Sequence, residues 1–213
     1  MTHYAHLHGF ASSPNSRKGT HLSEALRAHG AILERLNLNR PSFAQLTYTG
    51  ALEAMDEADA RAPAGTQWCL SGSSMGGWVA ARWAELNPDK VERLVLLCPG
   101  FNLVERWPAL IGTKGWADWE AIGAFPFQAP DGHQVSVWWE FIIDAKTHPP
   151  VPEVPCSTLI IHGTQDDVVP IEGSRRYAQT RPHVTLVEVN SDHGLISELP
   201  EITTLALSFF GFT

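Results

Sequence analysis

Two apolar runs constrain this chain most: Val91 to Cys98 and Thr158 to Ile161. Both are rich in Leu, Ile and Val and show no alternation with polar residues. A strand of that kind must be covered on both faces, as in a parallel sheet with helices on either side. Similar strand signals occur at Tyr4 to Leu7, Ala31 to Leu36, Gln67 to Leu70 and Val184 to Val189. Helical patterns fall between them. Leu22, Ala25 and Leu26 share one face of a helix that stops at Gly30. Leu52 to Ala62 ends before Pro63, Met75 to Leu86 ends at Asn87-Pro88, and a last helix covers about Glu198 to Phe210. Strands alternating with helices predict a doubly wound, mostly parallel α/β sheet of about six strands.

At 213 residues the chain is the size of one domain with a substantial core. Residues 101–150 break the strand–helix rhythm and hold five of the eight tryptophans: Trp107, Trp116, Trp119, Trp138 and Trp139. That stretch reads either as a cap over the sheet's C-terminal edge or as surface helices with a few core tryptophans. On the first reading Trp138 and Trp139 are candidate substrate contacts.

The third strand runs straight into Gly72-Ser73-Ser74-Met75-Gly76, a G-x-S-x-G pentapeptide followed by an amphipathic helix. A strand that turns this sharply into a helix lifts the middle serine above the sheet in a strained conformation. Glycines two before and two after remove the clashes. The pentapeptide alone is weak, because small residues are common in turns; its strand-then-helix context makes Ser74 a candidate nucleophile. The competing reading is a serine that merely caps the helix.

A serine hydroxyl needs a base to take its proton, and in this fold the order is Ser, acid, His. His162-Gly163-Thr164-Gln165-Asp166-Asp167-Val168-Val169-Pro170 follows the Thr158 strand, which makes Asp166 the candidate acid and Asp167 the alternative. Asp192-His193-Gly194 follows the last strand. Of ten histidines only His193 lies in the loop where the base belongs, and Asp192 reads as a loop residue. The oxyanion donors expected are the backbone N–H groups of Met75 and of Phe10, in the loop His8-Gly9-Phe10 after the first strand. His8 is expected to orient that loop.

The remaining composition narrows partners. Lys plus Arg is 15 against 23 Asp plus Glu, with no basic stripe, so a nucleic-acid footprint is absent. The N-terminus does not read as a signal peptide and no apolar run reaches membrane-spanning length. Cys69, Cys98 and Cys156 are widely spaced, without CxxC; Cys69 and Cys98 read as core residues of a reduced, cytoplasmic protein. His3, His6 and His8 have no neighbouring carboxylate, and only two of them share a strand face, so no metal or cofactor is expected.

These residues resemble a known group. His8-Gly9-Phe10-Ala11-Ser12-Ser13-Pro14, followed by Ser16 and Lys18, and then Gly72-Ser73-Ser74-Met75-Gly76-Gly77, look like the signatures of the YqiA-like bacterial esterases of the α/β-hydrolase superfamily. Cys98-Pro99-Gly100 stands where that family often has Asn-Pro-Ala, and residues 101–150 match nothing in it. The resemblance implies a cytoplasmic carboxylesterase that favours short acyl chains and acts on a small-molecule ester. A thioesterase or peptidase on the same residues, and a non-catalytic receptor on the same fold, are the alternatives.

Overall fold

The computed structural model describes residues 1–212. Six strands form one sheet: β1 (Thr2–Leu7), β2 (Leu33–Leu36), β3 (Gln67–Ser73), β4 (Val91–Leu97), β7 (Ser157–Gly163) and β8 (Val184–Val189). Their order is β2-β1-β3-β4-β7-β8, and every pairing is parallel. Between β4 and β7 the chain makes a separate antiparallel hairpin of β5 (Ala124–Gln128) and β6 (Gln134–Trp138). This is the α/β-hydrolase fold with a six-stranded parallel sheet and a small antiparallel insertion.

The unalternating strands are buried on both sides. In β4, Leu94 and Leu96 join one apolar cluster while Val95 and Leu97 join the other. Helices α2 (Tyr48–Arg61) and α3 (Met75–Leu86) cover the first face. Helix α1 (Arg17–Ala28) packs on α7 (Leu199–Phe210) over the second. Helix α6 (Glu172–Gln179) lies against β8.

Helix α2 begins four residues before the expected Leu52. Thr47 Oγ1 accepts the Gly50 N–H at 2.9 Å and starts the helix early. A glycine in the first turn hides that start, since glycine is a poor helix former. The strand expected from Ala31 forms only at Leu33, after the turn that closes α1.

Residues 101–150 fold into α4 (Leu103–Ile122), which is kinked at Gly112, then the β5–β6 hairpin and α5 (Glu140–Ala145). Trp107 and Trp119 are buried and meet edge to face at 5.6 Å, inside the same apolar cluster as α2 and α3. The rings of Trp107, Phe127 and Phe141 also surround Phe10 at 5.0–5.3 Å, so the segment covers the loop after β1. Among the described residues no helix is long and apolar enough to cross a membrane.

The strand order reverses between β1 and β3: the chain runs outward from β1 to β2 and then returns to lay β3 on β1's other side. Loops leaving the C-terminal ends of strands diverge at such a point and leave a crevice there. The loops carrying Phe10 and Ser74 both start at it.

Candidate active site

Ser74 stands at the turn from β3 to α3 with φ 53° and ψ −120°, a conformation non-glycine residues rarely adopt. The turn forms because its glycines permit it. A Cβ on Gly72 would overlap the Gly76 carbonyl, and one on Gly76 would overlap the carbonyls of Leu7 and His8. Backbone bonds brace it: Ser74 N–H donates to Leu97 O at 2.9 Å, and Gly100 N–H donates to Ser74 O at 2.8 Å. The hydroxyl makes no capping bond to α3, which removes the helix-cap reading. Ser74 is partly exposed while the residues on either side are buried.

The loop after β1 lies against Ser74: a Cβ on Gly9 would stand 3.3 Å from both Ser73 O and Ser74 Cβ. His8 holds this loop. Its Nε2 accepts the Leu38 N–H at 3.1 Å, which leaves Nδ1 to donate to Gly9 O at 2.8 Å. Burial keeps the His8 imidazole pKa low and the ring neutral. Met75 opens α3, so its N–H has no intrahelical acceptor. Among the described residues no backbone carbonyl takes the Phe10 N–H. Both expected oxyanion donors are therefore free to bind a ligand oxygen.

Asp166 and His193 meet although they come from different loops. Gly163 ends β7 so close to the loop after β8 that a Cβ there would overlap Ser191 O. Asp166 Oδ2 accepts from His193 Nδ1 at 2.6 Å, and Asp166 Oδ1 accepts the N–H groups of Val168 and Val169 at 2.9 and 2.7 Å. Burial alone would raise the carboxyl's pKa. The bonds from His162 and His193, the His193 charge and the Val169 N–H outweigh it and hold the group well below the usual carboxylate range. The Asp166 side chain is fully buried, and that of His193 is 20% exposed. Asp167 is exposed, and among the described residues only its carbonyl is engaged, by Arg106. Asp192 Oδ1 accepts from Gly194 and Leu195 N–H and shapes the loop that carries His193. No hydrogen bond links Ser74 Oγ to His193 among the described residues. Such bonds commonly tighten only when substrate is bound.

Three neighbours of this cluster were not singled out in the sequence for a role here. His162 is fully buried, donates from Nε2 to Val169 O at 2.8 Å, and lies 3.2 Å from Asp166 Oδ2. Cys98, read as a core residue, follows β4 with φ 43°. Its Sγ, a carboxylate oxygen of Asp166 and a ring nitrogen of His193 lie within 4.8 Å of one another. Burial, joined by the charge of Asp166, pushes the Cys98 thiol up, so it stays protonated. Burial lowers the Lys18 pKa, against the opposing pull of the Asp166 and Asp192 charges. Position at the C-terminal end of a strand was the available signal for His162 and Cys98. Lys18 carried none beyond the motif it ends.

A groove of about 590 Å³ opens beside these loops. Phe10 and Val168 bring the loops after β1 and β7 to it, and Trp107, Leu110, Ile111 and Phe127 supply apolar walls. Trp138 and Trp139 do not line it. Trp138 is 45% exposed, while Trp139 packs on Trp116 and Trp119 with the Lys146 ammonium 5.6 Å above its ring. The alternation of β6 explains their separation: Val137 is fully buried, so its neighbour Trp138 points the other way.

A family model described as "Uncharacterised protein family (UPF0227)" matches residues 3–210. Human palmitoyl-protein thioesterase ABHD10, a mitochondrial protein, is 31% identical over 134 residues, covering 58% of this chain and 43% of its own length. The match thus spans under half of that relative. Mouse alpha/beta hydrolase domain-containing protein 10 superposes with a TM-score of 0.78 at 21% identity, over 97% of this chain and 88% of the other. Est1E from Butyrivibrio proteoclasticus, in a structure with ferulic acid bound, gives 0.77 at 20% identity, over 99% and 88%. At these identities the two superpositions show the shared fold.

Proposed function

The chain belongs to the UPF0227 family, and on the site described above we propose that it is a serine hydrolase cleaving carboxylic esters of small molecules. One observation carries this reading: a strained, uncapped Ser74 stands at the same sheet edge as a buried Asp166 bonded to His193 at 2.6 Å. That combination serves nucleophilic acyl transfer.

In the proposed mechanism Ser74 Oγ attacks the ester carbonyl while His193 Nε2 takes its proton. The Phe10 and Met75 N–H groups bind the developing oxyanion. Asp166 accepts the His193 Nδ1–H, fixes the tautomer and stabilises the imidazolium. His193 then protonates the leaving alkoxide, and the alcohol departs. A water, deprotonated by His193, hydrolyses the acyl-enzyme and restores Ser74. Every proton in this cycle is held by the three side chains, the substrate or water, so no step calls on a cofactor.

The apolar groove beside Phe10 supports an acyl or aromatic acid portion as the part of the substrate held there. A second cavity of about 510 Å³, lined by Asn39, Arg40, Glu53 and Glu57 among others, is polar and touches none of the three catalytic loops. Thioester cleavage is the second reading. It is favoured by the thioesterase activity for which the human relative is named, and the same oxyanion chemistry serves both.

The test is hydrolysis of p-nitrophenyl esters of increasing acyl length by wild type and Ser74→Ala, with acyl thioesters run in parallel. Turnover of short esters by wild type alone supports the ester reading. A kcat/KM higher for thioesters replaces it with the second. Equal inactivity of both proteins on every substrate defeats the proposal.

A further inference from the structure

Cys98 is a buried thiol that the hydrolytic steps leave unused. It follows β4, Asp166 follows β7 and His193 follows β8, so three adjacent strands deliver a thiol, a carboxylate and an imidazole to one spot. One ligand atom from each lies within 4.8 Å of the others. Tetrahedral Zn²⁺ holds sulfur at about 2.3 Å and nitrogen or oxygen at about 2.0–2.2 Å, which sets ligand atoms roughly 3.5 Å apart. Closing this cluster around an ion therefore takes shifts of about 1 Å. A sulfur–nitrogen–oxygen set of this kind suits zinc or cadmium rather than magnesium or calcium.

We propose that Cys98, Asp166 and His193 form an inhibitory site for a thiophilic divalent cation, Zn²⁺ or Cd²⁺. The cation enters past His193, the one ligand side chain with solvent exposure. The Cys98 S–H proton passes to solvent as the sulfur–metal bond forms. The 2.6 Å bond between His193 Nδ1 and Asp166 breaks, the imidazole proton moves through solvent to Nε2 as Nδ1 takes the metal, and water fills the fourth position. No atom changes oxidation state. Two features weaken the site relative to a dedicated structural one: the loss of that bond, and the nearby positive charge of Lys18. With the metal in place His193 no longer serves as a base. That consequence rests on the function proposed above; the binding itself does not.

The experiment titrates cadmium chloride into metal-stripped wild type and Cys98→Ser while following the ultraviolet cadmium–thiolate band. In parallel, zinc chloride is added during p-nitrophenyl acetate hydrolysis and then removed with EDTA. Cys98→Asn, which tolerates a positive φ, is the second variant, and circular dichroism checks the fold of both. The expected result is a cadmium–thiolate band in wild type that the Cys98 variants lack. Zinc should inhibit wild type reversibly, with the half-inhibitory concentration at least about tenfold higher once the thiolate ligand is removed. A band that persists in the variants, or zinc inhibition equal in variants and wild type, overturns the inference. Were the metal-free protein inactive on esters, the proposed function would fail, and the cadmium band alone would still decide this site.

Discussion

Replacing Asp166 by Asn changes one oxygen to an amide nitrogen and little else in shape. The wild-type carboxylate accepts three protein donors: Val168 and Val169 N–H on Oδ1 and His193 Nδ1 on Oδ2, with His162 Nε2, bonded to Val169 O, 3.2 Å from Oδ2. In Asp166→Asn the amide oxygen keeps the two backbone donors, because they are fixed by the loop. The NH₂ group then faces His193 Nδ1 and His162. A donor facing a donor drives His193 into the Nε2–H tautomer, which presents a proton rather than a lone pair to Ser74. Loss of the correct tautomer costs about 10⁴ in kcat, or roughly 5.5 kcal/mol of transition-state stabilisation. The folded state also loses one charge-assisted bond, worth about 1.5–3 kcal/mol. The assay is kcat on a p-nitrophenyl ester beside urea unfolding of the same protein, with Asp167→Asn as the control. The reasoning predicts a collapse in kcat, a modest drop in unfolding free energy and a near-normal control. A folded Asp166→Asn enzyme within tenfold of wild-type kcat would refute it.

Asp166 has its pKa depressed by folding, so its contribution to stability is complete above the unfolded carboxylate value of about 4 and is lost as pH falls below it. The urea-unfolding gap between wild type and Asp166→Asn should be flat from pH 5 to 8 and shrink below about 4; a gap that widens on acidification contradicts this. Gly76→Ala puts a methyl group into the Leu7 and His8 carbonyls, and should yield insoluble protein or a thermal midpoint many degrees lower. Trp119→Ala empties a fully buried site and removes the Nε1–H bond to Val137 O, and should cost about 3–5 kcal/mol in chemical denaturation. Leu110→Trp narrows the groove beside Phe10, and should depress kcat/KM for long acyl esters by about tenfold while leaving acetate near wild type.

Backbone sterics acting over a few residues made much of this protein legible from its sequence. Continuous apolar runs required strands buried on both faces, and β4 divides its side chains between two clusters as that demands. The pair Gly72 and Gly76 specified the sharp turn at Ser74, because the clashes they avoid lie within the turn itself or with the adjoining end of β1. Element ends were less legible where a side-chain cap overrode propensity, as Thr47 does for α2.

Tertiary structure decided what depends on loops approaching one another. Asp166 and Asp167 are chemically identical neighbours; only the approach of Gly163 to Ser191 sends one to His193 and leaves the other in solvent. The tryptophans of residues 101–150 were ambiguous because core and pocket take the same residues. Packing placed Trp107 on the groove wall, Trp139 in the aromatic cluster and Trp138 at the surface. Cys98 reads in sequence as one more apolar residue closing a strand. It stands beside the Asp166–His193 pair because β4 and β7 are neighbours in the sheet, a long-range pairing that no local pattern encodes.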